Sequence, residues 1–408
     1  MDTKWAQDAL EHLSTIGRTS DNGSNRLAFS DEDMAARAYF KSLMQDAGLA
    51  VREDAFGNII GRLEGTDASL PAVATGSHID TVPNGGHFDG MAGSVASLLA
   101  LKRIKSRGAA RHPLELIIFQ MEESSRFSQA TFGSKVMVGK ANLDIAGKAV
   151  DKKGISLPEA MKARGYDFSQ LPGAIRKKGE IACFLELHIE QSPTLEEENL
   201  PVGIVTAIAA PIRTHVLIEG KAGHSGGTAM NNRRDALVSA AEMVLAVRRV
   251  GNAFARREIV ATVGNMTVSP GAMNVVPGGA ELWIDLRGTN RAVMDEAQSA
   301  LVKAAQAIEA AYGTPVRANV LGADNPVLMT PDIIRLIGEV SREKNIPSMP
   351  IVSGAGHDAM NMALIADVGM IFIRCKDGLS HNPAEFAAMD DIMAGADVLT
   401  ETLHRLAR

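Results

Sequence analysis

Short apolar runs alternate with helical patterns along the first half of this chain, and few folds accommodate that alternation. Val51-Arg-Glu-Asp, Asn58-Ile-Ile-Gly-Arg-Leu and Ala72-Val-Ala-Thr-Gly-Ser-His are strand-like, and Leu114-Glu-Leu-Ile-Ile-Phe-Gln is a buried strand. Asp31–Ala47 reads as a helix, with Ser30 at its N-cap and Glu32 and Asp33 suited to the positive end of its dipole; Met91–Ser106 reads as another. Parallel strands need crossovers, and helices supply them, so the pattern predicts an α/β layer around a mostly parallel sheet.

From about Arg213 the pattern changes. Strands are predicted at Thr214–Gly220, Glu258–Val268, Gly279–Leu286 and Thr314–Val320, with helices at Asn232–Val250 and Arg291–Tyr312. That β-α-β-β-α-β order is the ferredoxin-like split pattern. Helix–strand alternation then resumes from Pro331 to Arg408. A chain of 408 residues is too long for one typical core. The expected architecture is a discontinuous sheet domain, residues 1–212 and 325–408, into which residues 213–324 are inserted.

Apolar residues make up 46% of the chain and charged residues 22%, enough for sizeable cores. Aromatics are only 4% while Met numbers 19, so aliphatic residues and Met must do most of the packing. The net charge of −6, without blocks of like charge, argues against a nucleic-acid surface or a polybasic membrane patch. Met1–Leu13 carries Asp2, Asp8 and Glu11 and reads as an amphipathic helix, not a signal peptide. No run reaches the roughly 20 apolar residues of a membrane span. A soluble, cytoplasmic protein is expected. Cys183 and Cys375 sit in apolar runs and read as buried thiols.

Residues able to do chemistry collect behind the predicted strands. His78 ends the Ala72–Ser77 run, Glu122 and Glu123 end Leu114–Met121, and His188 follows Ala182–Leu187. His381 lies in the loop after Val368–Cys375, and Asp89 lies in Asn84-Gly-Gly-His-Phe-Asp-Gly. Ligands of open α/β sheets gather at the carboxyl ends of strands. Taken singly, a loop histidine is commonly solvated or packed in a core, and Glu122–Glu123 could be a solvated strand end. Together, His78, Asp89, Glu123, His188 and His381 point to two divalent metal ions. Imidazole with carboxylate suits zinc, manganese, cobalt or nickel, and carboxylate is the usual bridge. Asp80, two residues beyond His78, can accept its imidazole N–H and fix the tautomer.

His78-x-Asp80, Asp89-Gly90, Glu122-Glu123, Leu187-His188-Ile189-Glu190-Gln191 and Ser380-His381-Asn382-Pro383 carry a family resemblance. The chain resembles the amidase branch of the dinuclear-metal aminoacylase and carboxypeptidase superfamily. Within it, it is most similar to N-carbamoyl-L-amino-acid hydrolases, β-ureidopropionases, and allantoate and ureidoglycolate amidohydrolases. The likeness runs from about Leu10 to the C-terminus, and the Glu-Leu-His-Ile-Glu-Gln and Ser-Gly-Ala-Gly-His-Asp strings belong to that branch. The resemblance implies a hydrolase that releases ammonia and carbon dioxide from a small N-carbamoyl carboxylic acid. An N-carbamoyl-L-amino acid is the expected substrate, with allantoate or ureidoglycolate as the alternative. A peptidase or aminoacylase is disfavoured because such relatives commonly carry an acidic residue where this chain has His188. A non-catalytic binding dimer is disfavoured because every ligand and Glu122 are present.

Residue by residue, the resemblance implies that Asp89 bridges the ions, one taking His78 and His188 and the other Glu123 and His381. Glu122 would be the general base. In the insert, which becomes a lid and homodimerisation domain, Asn274 and Arg287 would grip the substrate carboxylate and His224 would stabilise the oxyanion. An ion pair with Asp285 is the competing role for Arg287, and a loop cap the competing role for His224. Gln191 and the Gly354-Ala-Gly356-His357 loop are expected to contact the ureido group. Where relatives often read His-Ala-Gly-x-Thr-Pro-Met, this chain has His224-Ser-Gly-Gly-Thr-Ala-Met230, without the proline.

Overall fold

The computed structural model describes residues 2–408. The chain opens with helices α1 (Asp2–Thr15) and α2 (Asp31–Asp46) and strands β1 (Ala50–Glu53), β2 (Ile59–Leu63) and β3 (Ala72–His78). Helix α3 (Met91–Ser106) leads to β4 (Leu114–Phe119), β5 (Ile181–Ile189) and β6 (Val202–Ile208). Then come β7 (Ala210–Glu219), α4 (Ala236–Phe254), β8 (Val260–Ser269), β9 (Gly279–Gly288), α5 (Arg291–Tyr312) and β10 (Val316–Ala323). Helix α6 (Pro331–Glu343), strand β11 (Asp367–Ile373) and helix α7 (Met389–Leu406) complete the main elements.

The chain divides into two compact units, one running up to Thr206 and from Met329 onward, the other spanning Ala207–Leu328. In the first, the sheet runs β1-β2-β4-β3-β5-β11-β6. It is mixed. The central strands β4, β3, β5 and β11 are parallel, and β1, β2 and β6 join antiparallel. The parallel part has the character such strands require: every residue of β3 and β4 is buried. Helix α3 contributes Met91, Val95, Leu98, Leu99, Leu101 and Ile104 to the same core as Ile371, Ile373 and Leu399. Ser30 caps α2 as its sequence predicts, its side chain accepting from the Asp33 N–H.

Period-2 alternation organises the second unit. Its sheet, ordered β10-β7-β9-β8, is antiparallel throughout. Ala280, Leu282, Ile284 and Leu286 of β9 point into a core shared with Ala240, Met243 and Val247 of α4 and Met294 and Leu301 of α5. Glu281, Trp283, Asp285 and Arg287 therefore project from the opposite face. Helix α4 begins at Ala236 rather than at Asn232, because Asp235 is its N-cap and accepts from Leu237 and Val238.

Cys183 and Cys375 are both buried and free. Among the described residues no helix is long and apolar enough to cross a membrane.

Candidate metal centre and active site

The sheet delivers its strand ends to one place. His78 is the last residue of β3, and His188 is the penultimate residue of β5 rather than the first residue beyond it. The strand runs further than predicted because β11 pairs with it in parallel through Phe372↔His188 and Ile373↔Ile189. The two imidazoles stack with centroids 5.8 Å apart. Their Nε2 atoms both face Asp89 Oδ1, at 3.3 Å from His78 and 3.1 Å from His188. On the other side, His78 Nδ1 lies 3.1 Å from the Asp80 carbonyl oxygen and His188 Nδ1 lies 2.9 Å from the Ile189 carbonyl oxygen. A carbonyl can only accept, so each Nδ1 carries a proton, which turns each Nε2 toward Asp89 as the atom a metal would take; the Gly90 N–H also lies 3.3 Å from His188 Nε2.

The second oxygen of Asp89 serves a different set. Oδ2 is 3.4 Å from His381 Nε2, which in turn is 3.1 Å from Glu123 Oε1. The five predicted ligands thus form two groups that share one residue: His78, Asp89 and His188, and Asp89, Glu123 and His381. In each group the donor atoms lie within 4.8 Å of one another.

Asp80 stands beside His78 as expected, its Oδ1 3.6 Å from His78 Nδ1, and performs a second task. Its carboxylate accepts the backbone N–H groups of Glu122 and Glu123, at 3.2 and 3.1 Å, and its backbone carbonyl takes the His78 proton. One aspartate so aligns the two glutamates and one imidazole. Glu122 Oε2 sits 3.9 Å from His78 Nε2, beside the donor atoms and outside both groups. Burial, reinforced by Glu123 and Asp358, pushes the Glu122 carboxyl well above the ordinary glutamate range.

Crowded carboxylates set the electrostatics of the site. Burial works to raise Asp89, but His188, His381 and His78 outweigh it and hold that carboxyl well below its ordinary value. Hydrogen bonds to Asp89 and Glu123 push His381 up to about 10. Buried anions of this kind demand positive charge, and imidazole with carboxylate is a donor set that divalent transition ions satisfy. The residues fit two such ions.

Gly90, directly after the shared aspartate, has φ +67, and a Cβ there would lie 2.5 Å from the His78 ring. Gln191, at φ +59, donates from Nε2 to Asp89 Oδ2 at 2.7 Å and to Ser380 Oγ at 3.2 Å. Since a carboxylate only accepts, the amide nitrogen must face Asp89. That leaves Gln191 Oε1 buried without a hydrogen-bond partner. Glu190 anchors the turn beneath it by accepting from the backbone of Thr194 and Leu195.

His357 is buried. Its Nε2 lies 2.9 Å from Ser353 Oγ, and its ring meets that of His188 edge-on with centroids 4.6 Å apart. Burial, with His188 beside it, pushes its pKa well below the ordinary value, so it packs as a neutral ring against His188. Gly356, one residue earlier, is exposed.

His224, Asn274 and Arg287 all belong to the second unit. A two-residue ladder pairs His224 with Val275, and the Asn274 carbonyl accepts from Ser225 at 2.9 Å. His224 Nδ1 accepts from Gly226 and Gly227, at 3.1 and 3.0 Å, which leaves its proton on Nε2. Arg287 Nε donates to Asp285 Oδ1 at 2.8 Å. Both competing contacts, the loop cap and the ion pair, are therefore present.

Two residues near the metal groups were given no role from the sequence, although Ser380 stands in one of its motifs. Ser380 hydrogen-bonds Asp89 Oδ2, and Glu385 accepts from the backbone of Phe88 and Asp89. Neither has a periodic signature; only the four-residue distance from His381 to Glu385 within one loop could have suggested the second.

The model of Peptidase family M20/M25/M40 matches residues 74–405. The chain belongs to this family. It is 39% identical over 97% of its length to an N-carbamoyl-L-amino-acid amidohydrolase of a Pseudomonas species, covering 96% of that protein. It is 37% identical over its whole length to the ureidoglycolate hydrolase of Arabidopsis thaliana, covering 87% of that protein. The crystal structure of an amidase of the hydantoinase/carbamoylase family from Burkholderia multivorans superposes with a TM-score of 0.92 at 34% identity, over 99% of this chain and 98% of that one.

Proposed function

We propose that this family member is a metal-dependent amidohydrolase that cleaves the carbamoyl C–N bond of a small N-carbamoyl carboxylic acid, with N-carbamoyl-L-amino acids as its substrate class. The observation that carries the reading is Asp89, whose two oxygens face two separate ligand groups with Glu122 alongside. One divalent ion is assigned to His78, His188 and Asp89, and a second to Glu123, His381 and Asp89. When bound, such a pair lowers the pKa of a shared water and polarises the carbonyl under attack.

Glu122 is the general base. Its Oε2 takes the proton of the attacking water as oxygen adds to the carbamoyl carbon, then delivers it to the leaving nitrogen as the C–N bond breaks. The second transfer is required because an amide anion cannot leave. The products are the amino acid and a carbamate, which breaks down to carbon dioxide and ammonia. Gln191 Oε1, buried and unpartnered, is the acceptor for a ureido N–H. The loop contact falls to exposed Gly356, since His357 is engaged by Ser353 and His188.

Residues 213–324 form a ferredoxin-like lid and homodimerisation domain in this reading. The strand order and helix placement of the second unit support it. Arg287 and Asn274 take the substrate carboxylate, the guanidinium fork matching its two oxygens. His224, with its proton on Nε2, donates to the oxyanion.

Metal analysis combined with an ammonia-release assay tests the proposal. Two ions per chain and turnover of N-carbamoyl-L-amino acids are expected. The Arabidopsis relative makes ureidoglycolate the leading alternative, with allantoate beside it. Release from one of these alone would move the assignment to that ureido acid. A fully metallated protein inactive on all three classes would reject it.

A further inference from the structure

Glu385 sits at the far end of the His381 loop, 4% exposed, and reaches back to the Asp89 loop. Its Oε1 accepts the N–H of Phe88 at 2.8 Å and of Asp89 at 2.9 Å. Its Oε2 lies 3.1 Å from Ser380 Oγ, and that hydroxyl also touches Asp89 Oδ2. The approach is close enough that a Cβ on Gly86 would meet the Glu385 carboxylate carbon at 2.1 Å. The two loops follow β3 and β11, strands that are separated in the sheet by β5. The carboxylate therefore ties together backbone that the sheet itself does not join.

Its contacts are asymmetric. Ser380 and Gln191 both address Asp89 Oδ2, the oxygen on the His381 side. Oδ1, by contrast, faces His78 and His188, each 2% exposed on a buried strand. His381 is half exposed and sits at φ +56. The Oδ1 half is held by the sheet, and the Oδ2 half by loop contacts that converge on Glu385.

We propose that Glu385 is a positioning residue for the metal centre, and that it controls the Glu123/His381 ion far more than the His78/His188 ion. The inference rests on the dinuclear reading above. Removing the carboxylate frees the amides of Phe88 and Asp89 and loosens Ser380, so Asp89 Oδ2 loses its aim while Oδ1 keeps its partners. Changes of this kind behind metal ligands cost roughly 10- to 100-fold in affinity.

Metal-free full-length protein titrated with Co²⁺, by calorimetry and visible absorption, reads the two ions separately. Wild type should bind two. Glu385→Ala should bind the tighter ion within about threefold of wild type and the other roughly 10- to 100-fold more weakly. Glu385→Gln, whose amide oxygen can still accept both N–H groups, should restore most of the second phase. Ser380→Ala, which leaves no backbone amide unpaired, should weaken the second phase selectively and serves if the alanine variant at 385 fails to fold. Equal weakening of both phases, an unchanged second phase, or a glutamine variant as poor as alanine would each overturn the proposal. Wild type binding fewer than two ions would remove the dinuclear reading itself, and the proposal with it.

Discussion

Changing Glu122 to Gln replaces one carboxylate oxygen with an amide nitrogen at nearly constant volume. Asp80 holds residue 122 through its backbone N–H, at 3.2 Å, so the turn that presents the side chain is untouched. His78 Nε2 is 3.9 Å from Oε2, beyond hydrogen-bond reach, so no hydrogen bond to that imidazole is lost. What disappears is the ability to take and return a proton. General acid–base catalysis contributes about 10²–10⁴-fold, which at about 1.36 kcal/mol per decade is roughly 2.7–5.4 kcal/mol of barrier. The expected protein binds two ions, melts as wild type does, and shows a kcat for ammonia release lower by two to four decades, with KM changed only a few-fold. Metal content and kinetics must be measured on the same preparation. A fully metallated Glu122→Gln protein within tenfold of wild-type kcat would refute the base assignment. Loss of an ion in parallel with activity would mean that Glu122 is a ligand.

Three further outcomes follow from the geometry. Gly90→Ala places a Cβ 2.5 Å from the ring of His78 at a positive φ; backbone strain of about 1–3 kcal/mol plus the clash should displace His78 and weaken metal uptake, and wild-type metal affinity would show the contact to be soft. Arg287→Ala should weaken N-carbamoyl amino acids by roughly 10- to 150-fold, the range for a charge-assisted pair of about 1.5–3 kcal/mol, and leave their neutral carboxamide analogues nearly unaffected; equal weakening of both would make Arg287 structural, through its pair with Asp285. Asp33 is fully buried, and burial, aided by Asp80 against the pull of Arg37, raises it to about 6. A raised carboxyl stabilises the fold while it is protonated in both states, below about pH 4, and that stability is lost as pH rises through 6. Denaturation midpoints of wild type relative to Asp33→Asn should therefore fall between pH 4 and 7, by up to about 3 kcal/mol in stability, and a flat difference would contradict the shift.

Legibility in the sequence tracked how local each cause is. Buried parallel strands are nearly continuous apolar runs, so β3 and β4 could be read directly, and their ends located His78 and the Glu122–Glu123 pair. The strand at Gly279–Leu286 was legible too, but it runs on to Gly288, and its period of two places Arg287 on the same face as Asp285. The antiparallel flanks of the sheet were less legible, because strand direction depends on which neighbour a strand finds rather than on its own pattern. Side-chain roles fixed by distant partners were not legible either. Glu385 acts on Phe88 across 297 positions, and Asp80 could be recognised as useful to His78 but not as the residue that aligns both glutamates. His357 was expected from the resemblance to contact the ureido group, and its burial against His188 and Ser353 could not be read from its loop.

The backbone around the ligands explains why such sites resist local reading. Met121, Gln191 and His381 are all non-glycine residues at positive φ, at +58, +59 and +56. One precedes the proposed base, one contacts the shared aspartate, and one is a proposed ligand. Each such conformation costs on the order of 1–3 kcal/mol and persists only where surrounding structure over-determines it. Local propensity would place glycine or asparagine at these positions, so a reading from pattern alone assigns ordinary strand ends and loops there. The compensation comes from elsewhere in the chain. Met121 is fully buried, and its carbonyl accepts from Phe132; Gln191 is held by Asp89 and Ser380. His381 has the weakest support of the three, being half exposed, with its ring held by the carboxylates of Asp89 and Glu123. The strained turns and the metal groups are therefore one construction: ions on Asp89, Glu123 and His381 would supply the restraint that the half-exposed His381 lacks, and so the Glu123/His381 half should be the part of the site that metal binding orders most.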